Sequence, residues 1–400
     1  MPAKPGQSAA PLRALLPILV IIFLNFAGFS LIIPLLPFYG RELHASPVLV
    51  TMLFAAYSFG GIFGEIWWGR VSDRHGRRSV LIWTTAIAAL TYLAFAFVTD
   101  YWSALLIRVL TGFFSGTIGV CASYIADVTR PEQRARSMGL LGAALNLGFA
   151  FGPAVGGLLA SPEQGLAGFR LPILLAAVVS LMTALWSAFV VAETHAPGPA
   201  RPLPKWGEAF HFVGTHPLLA RLFAIAFIGI GTFASMEAVF GLWTARNFGW
   251  TTHEVGLTFI AVGATGFLMQ IVLIGQATKR FGEARVIVGG LQVLCVSMLL
   301  QPVLRDPIAA VVLMSALMGG HSIAFPTSGA LISRATSPDV QGSVNGLLMA
   351  SNALSRIVVP PVFGLIYSAA GPDWPYFIGA AFAGVAVLIG FQVVRMRASA

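Results

Sequence analysis

The sequence predicts an all-α polytopic membrane protein, with twelve transmembrane helices arranged as two pseudo-symmetric six-helix bundles. Three observations carry that expectation. Of 400 residues, 57% are hydrophobic and 10% charged, with mean hydropathy +0.84, whereas a soluble domain carries about 25% charge. Apolar runs recur at about the 20 residues that a bilayer-crossing helix needs. The second half also repeats the first. Gly69-x-x-Ser72-x-Arg74-x-Gly76 returns 206 residues later as Gly275-x-x-Thr278-x-Arg280-x-Gly282. Pro131, Gly139, Pro153 and Gly157 return 207 residues later as Pro338, Gly346, Pro360 and Gly364. A near-constant offset of half the chain marks duplication of a six-helix unit.

Taken in order, the first span covers 12–38. Its apolar run is too long for a signal peptide and lacks a small-residue cleavage site, so it stays in the mature chain. The second, 48–68, ends at Trp67-Trp68, which suit the aromatic belt of a membrane interface. Next comes Gly69-Arg70-Val71-Ser72-Asp73-Arg74-His75-Gly76-Arg77-Arg78. A single charge at mid-bilayer costs about 2.5–3.5 kcal/mol, so this stretch is a loop at a membrane face. Spans three to six cover 79–98, 101–125, 137–160 and 169–192. Residues 193–216, with Pro197, Pro199, Pro202 and Pro204, read as a linker. Spans seven to twelve cover 217–245, 253–276, 285–304, 307–332, 342–369 and 374–394. The expected units are an N-terminal bundle 1–192, the linker 193–216 and a C-terminal bundle 217–400.

The net charge of +9 is a matter of orientation. In this topology most Lys and Arg fall on one side, and the other holds only Arg41, Arg170, Arg246 and Arg305. That asymmetry places the Arg-rich loop, and both termini, in the cytoplasm; it is not a nucleic-acid patch. Cys121 and Cys295 both lie in apolar segments, where cysteine acts as a small hydrophobe. No HExxH, Walker loop, nucleophile elbow or metal-ligand spacing is present in the sequence, so neither enzyme nor ATP-driven pump is expected and no cofactor is implied.

Four stretches resemble the major facilitator superfamily, and within it the twelve-helix drug:proton antiporters of the tetracycline-antiporter-like group. They are the Arg-rich loop, running on as Ser79-Val80-Leu81; Arg108-Val-Leu-Thr111-Gly112; Gly148-Phe-Ala-Phe-Gly152-Pro153-Ala-Val-Gly156-Gly157; and Ala122-Ser-Tyr-Ile-Ala-Asp127, leading into Arg130-Pro131-Glu132-Gln133-Arg134. The resemblance implies the major facilitator fold and transport by alternating access, with substrate bound near mid-membrane between the halves. It implies that Gly69, Asp73, Arg74, Gly76 and Arg77 form a gate, that Asp73 meets the start of helix 11 near Gly342, and that Arg77 or Arg74 holds Asp127. It further implies that Gly152 and Pro153 lie at the interface of the halves. One departure stands out. The group commonly has Asp in helix 1 where this chain has Asn25, and asparagine cannot exchange a proton near neutral pH.

Few ionisable groups remain within the spans. Glu237 stands alone in helix 7, and an intramembrane acid facing a cavity is functional by default; the bland reading is a structural hydrogen bond. Arg108 in helix 4 cannot deprotonate and must face a cavity or a carboxylate. Arg356 in helix 11 lies at a similar depth to Glu237, so Glu237 can pair with either arginine. These three are the coupling candidates. Glu65, near the loop end of helix 2, reads equally as gate or proton site. Asn25, Phe29, Asn146, Phe240, Gln270 and His321 are the substrate-binding candidates, each set against ordinary packing.

The expected function is secondary active export of lipophilic small molecules in exchange for protons, by a monomer in the bacterial inner membrane. The alternatives are a gradient-coupled carrier of a polar metabolite such as a sugar or siderophore, and a non-transporting receptor. A static receptor has no need of two gate loops.

Overall fold

The computed structural model describes residues 12–195, 198, 206–337 and 339–398. The linker prolines, and Pro338 of the repeat, lie outside the described residues. Among those described, every regular element is a helix. Eleven helices are long and apolar enough to cross a membrane, and a bent pair makes a twelfth span.

That bent pair, α1, runs Leu12–Leu31 and resumes as Leu36–Glu42, with a 41° bend. The expected continuous span 12–38 is therefore broken. Pro34, within the break, lacks an N–H and disfavours helical geometry in the residue before it, while Pro37 sits in the first turn of the resumed helix, where its missing N–H costs nothing. Next come α2 (Pro47–His75), α3 (Arg77–Phe95) and α4, which is split into Tyr101–Phe114 and Ile118–Val128. The split falls where Gly116 lies against the backbone of Gly64 and Glu65, too close for any side chain. The first half closes with α5 (Pro131–Leu159) and α6 (Arg170–Val190).

Part of the linker is helical, which the sequence reading missed. Trp206–Thr215 forms two and a half turns whose Ala209 and Val213 are buried. Four residues apart, these two share one face, and that face packs on α7 (Pro217–Phe248) and α11 (Gln341–Ala370). Between them come α8 (Thr252–Phe281, with a π-helical turn at Met269–Leu273), α9 (Glu283–Leu300) and α10 (Pro307–Ala335). The last is α12 (Trp374–Ala398).

Helix starts opposite the Arg-rich loop are capped by their own sequence. Asp100 accepts from the Ser103 N–H and Asp306 from the Ala309 N–H, at 2.9 and 2.8 Å. Thr251 and Glu254 form a capping box at the start of α8. Such caps contribute about 1 kcal/mol each, and Asp100 and Asp306 are themselves repeat-related. Within the first half α1 packs on α5 and α6, α2 on α4, and α3 on α6; within the second, α7 packs on α11 and α12, α8 on α10, and α9 on α10 and α12.

Between the halves, α5 meets α8 and α2 meets α11. Three close approaches mark the boundary between the halves toward the face opposite the Arg-rich loop. Gly157 abuts Gly256 and Thr252, Gly364 abuts Pro47, Val48 and Thr51, and Gly241 abuts Pro37 and Phe38. Toward the Arg-rich face α2 and α11 part around a cavity of about 310 Å³. The closest backbone packing between the halves thus lies toward one face, and the α2–α11 cavity toward the other.

Candidate functional site

The Arg-rich loop is organised by one buried guanidinium. Arg77 is 1% exposed. Its Nη1 donates to Asp73 Oδ1 at 2.7 Å and Ser72 Oγ at 3.0 Å, and its Nε donates to Asp127 Oδ2 at 3.2 Å. Of the two arginines considered for Asp127, Arg77 holds it, and Arg74 is exposed. Gly76 takes φ +93°, a region that favours glycine, and a side chain there would strike Glu193. The Glu193 carboxylate accepts the N–H groups of Arg77 and Arg78 at 2.7 and 3.1 Å, capping α3 from the far end of α6. Gly69 has open space around it. At the start of α11, among the described residues, nothing lies within 4 Å of where a side chain on Gly342 would begin.

Close backbone packing positions the polar groups of the first half. Gly60, Gly64 and Gly112 let α2 and α4 touch backbone to backbone. This sets Tyr57 under Arg108, whose guanidinium carbon is 4.8 Å from the ring centroid. Phe29 of α1 stacks on Tyr57 at 4.4 Å. Arg108 is 2% exposed; its Nε donates to the Leu53 carbonyl at 3.2 Å. Among the described residues it meets no carboxylate, so the expected pairing with Glu237 fails for this arginine. Its buried Nη1 has no hydrogen-bond partner among the described residues. Asn25 and Glu65 both serve the break in α4. Asn25 Nδ2 donates to Thr117 Oγ1 at 3.1 Å, and Glu65 Oε2 accepts the Gly119 N–H at 3.1 Å.

In the second half Glu237 is 4% exposed, and its Oε2 lies 4.0 Å from Arg356 Nη1. Its Oε1 is buried without a partner among the described residues. Gly231, packed against Ser355 and Val359, brings α7 close enough to α11 for that meeting. Arg356 is 35% exposed at its side chain and lines the cavity between α2 and α11, with Glu65, Ser58, Met349 and Trp206. It also lies within electrostatic reach of His321 and Tyr57. His321 is sandwiched between Phe233 and Phe325, with ring centroids at 4.1 and 4.3 Å. Phe240 is a correction: it is fully buried in the core with Val239, Trp243 and Phe259 and faces no cavity. Helix α7 is buried on all sides along this stretch, so its 3.6-residue pattern gave no cue to which face was the core.

The α5–α8 seam holds one polar contact among the described residues. Asn146 Nδ2 donates to the Gly142 carbonyl at 2.8 Å and, in a short bond, to Gln270 Oε1. Gln270 sits in the π-helical turn of α8, an irregularity common at functional sites. The Gly-Pro run needs correction. Gly148, Gly152 and Gly156 do share one face, but that face packs on α1, against Phe23, Ala27, Ser30 and Leu31 of the same half. Contact with the other half belongs to Ala150 with Gly263, to the Pro153 carbonyl near Gly256, and to Gly157. Spacing shows which residues share a face; it does not say which helix covers it.

Sequence reasoning missed three residues of this arrangement: Tyr57, Glu193 and Trp206. Tyr57 and Trp206 look like ordinary aromatics in apolar or linker context. Glu193 gave a signal, a lone acid just after a span, which only the fold-back of the linker makes meaningful.

A buried acid beside a half-buried arginine that lines a cavity between helices of the two halves is the geometry expected of a carrier. The Major Facilitator Superfamily profile matches residues 18–244 and 222–398. The chain is 31% identical to the class C tetracycline resistance protein of Escherichia coli, covering 92% of this chain and 94% of that one. It is 30% identical to the class B protein of the same organism, with 93% of each covered. Multidrug resistance protein 2 of Bacillus subtilis is 25% identical over 94% of this chain and 92% of the relative. Among solved structures, a bacterial homolog of the human lysosomal transporter Spinster superposes with TM-score 0.79 at 16% identity, covering 98% of each chain. A D-xylose-proton symporter gives 0.76 at 16%, covering 95% of this chain and 97% of that one. Twelve spans, an internal repeat, the Arg-rich loop with its buried arginine, and these likenesses all agree: the chain belongs to the major facilitator superfamily.

Proposed function

We propose that the protein is a secondary active transporter that exports lipophilic, drug-like small molecules in exchange for protons by alternating access. Relatives named for resistance to tetracycline and to multiple drugs support that substrate class. The Arg-rich face is cytoplasmic, by the positive-inside bias, and the membrane is a bacterial inner membrane with both termini inside. The working unit is one chain. Bundles 1–192 and 217–400 rock about the seams, and 193–216 tethers them. In the conformation described here the substrate path opens to the cytoplasm.

One observation carries the coupling: Glu237, buried in mid-α7, lies 4.0 Å from Arg356, and Arg356 lines the cavity. With Glu237 ionised, the guanidinium is held toward α7. With the cavity open to the cytoplasm, Glu237 gives up its proton to that side, and its carboxylate is held by Arg356 while substrate enters. Bound substrate then draws α2 and α11 together and turns the site to the opposite face. There Glu237 takes up a proton as substrate leaves, and the protonated, empty carrier returns, so each cycle moves a proton inward and substrate outward. Arg108, with its unpartnered Nη1 above the stacked Tyr57 and Phe29, offers a fixed positive charge and an aromatic platform to a ligand in the first half. Because helix 1 carries Asn25, which donates to Thr117, coupling rests on Glu237.

The test is transport of a fluorescent, uncharged lipophilic drug in everted membrane vesicles. Glu237→Gln keeps shape and loses ionisation. It is expected to abolish pH-driven uptake while leaving substrate exchange without a gradient intact. Full pH-driven uptake by that variant would falsify this coupling scheme.

A further inference from the structure

The repeat-related loops have the same backbone and opposite charges. Asp73, Arg77 and Asp127 of the first half correspond to Lys279, Glu283 and Arg334 of the second. The ion pairs invert accordingly. Glu283 takes Arg334 Nη1 on Oε1 at 2.8 Å and Arg397 Nη2 on Oε2 at 3.6 Å. Gly76 and Gly282 precede α3 and α9 in nearly the same conformation, φ +93°, ψ 156° and φ +80°, ψ 155°. In the first half, the N–H groups of Arg77 and Arg78 that follow are held by the Glu193 carboxylate. In the second, among the described residues, no side chain accepts from the N–H groups of Glu283 or Ala284, and the end of α12 brings Arg397 there instead of an acid. The first half thus shows what this backbone holds, an anionic oxygen group at a helix start, and the second half surrounds the same position with cations.

These cations line a cavity of about 640 Å³, where Lys279, Arg285, Arg334 and Arg397 face the single carboxylate of Glu283. An apolar groove of about 520 Å³ adjoins it between α8, α9 and α10 and shares Phe281 and Arg285 with it. Its walls include Leu273, Val286, Val293 and Ile323. Phe281, Leu273 and Val293 are exposed, so the groove lies on the outside of the bundle, where the bilayer is. A free anion has use for the cavity alone; a charged pocket at the membrane face that continues into an outward apolar groove suits a molecule with both parts.

We propose that this composite site binds an anionic phospholipid, its phosphate headgroup among Lys279, Arg285, Arg334 and Arg397 over the start of α9 and an acyl chain along the α8–α9–α10 groove. Basic pockets between helices at a membrane face recognise such headgroups.

Native mass spectrometry of the purified full-length protein tests this, with phosphatidylglycerol, phosphatidylcholine or inorganic phosphate added. Wild-type protein is expected to retain phosphatidylglycerol in preference to phosphatidylcholine. Each removed cation should weaken binding about five-fold, so Lys279→Gln with Arg285→Gln should weaken it roughly thirty-fold. If the double variant does not fold, Lys279→Gln alone, at an exposed position, should still show the five-fold loss. Gly289 lines the groove with nothing within 4 Å of its missing side chain. Gly289→Leu should therefore impair retention of long-chain phosphatidylglycerol and spare its short-chain analogue. Equal retention of the two lipids, displacement by inorganic phosphate alone, or unchanged binding in the lysine and glycine variants would each overturn the proposal.

Discussion

At the scale of single residues, the proposed coupling pair is Glu237 and Arg356. Removing one partner of a buried ion pair leaves an uncompensated charge and costs about 3–5 kcal/mol in a fully dry site. Arg356 is one-third exposed, and solvent screens the remainder, so Arg356→Gln is expected to cost less, about 1–2 kcal/mol. In Glu237→Gln with Arg356→Gln no lone charge remains, and part of that loss should return. Thermal unfolding in detergent checks the order: the arginine variant melts lowest and the double variant above it. The reverse order would mean the pair is not coupled. The sequence named Glu237, Arg356 and Arg108 as the charges to watch, because so few charges stand within apolar runs. It left open which arginine met the acid, since that depends on how α7 crosses α11 at Gly231. Phe240 illustrates the opposite limit. One of 30 phenylalanines, it carries no mark in sequence that separates a cavity wall from a core, and the fold puts it in the core.

At the scale of helices, hydropathy was enough to find twelve spans, because lipid imposes one requirement on all of them: internal pairing of the backbone. Breaks within spans were harder to read. The α1 break has prolines to announce it, whereas the α4 break depends on Gly116 meeting the backbone of α2. The helix at Trp206–Thr215 was hidden in a proline-rich stretch too short to register as a span. The Gly-Pro run of α5 separates two roles that sequence spacing merged. Gly152 packs on α1 inside its own half, and Gly157 packs on Gly256 of the other half. Gly152→Leu is therefore expected to damage the first bundle itself, seen as poor expression and a lowered melting temperature. Gly157→Leu leaves each bundle whole and pries open the seam. Overpacking there costs about 1–3 kcal/mol, which shifts the balance away from this conformation about five-fold or more. The readout is a cysteine placed at Ala350, in the cavity between α2 and α11, on a background without Cys121 and Cys295. Its labelling should fall in the Gly157 variant. Unaltered labelling would show that Gly157 does not hold the seam.

At the scale of the whole molecule, closing one face must be matched by opening the other, and small differential contacts set the balance. A group that interacts equally in both states shifts nothing. Arg77 binds Asp73 and Asp127 within one half, so that network travels with the first bundle as a rigid body and by itself does not favour either state. What differs is the start of α11. Here, among the described residues, nothing lies within 4 Å of a side chain placed on Gly342; the resemblance implies that the loop carrying Asp73 approaches it when the Arg-rich face closes. An anion at a helix start is stabilised by about 0.3–1 kcal/mol, more if partly buried. Asp73→Asn removes that term from the closed state, while the Arg77 contact weakens in both states and cancels to first order. The population should move toward the conformation described here by about two- to five-fold. Labelling at the Ala350 cysteine should rise accordingly, turnover should slow, and substrate affinity measured without a gradient should change little. Arg77→Gln provides the contrast. It dismantles the network in both states, so it should lower the melting temperature without a matching rise in labelling. If Asp73→Asn leaves labelling where it was, the loop stabilises its own half and has no part in closing the face.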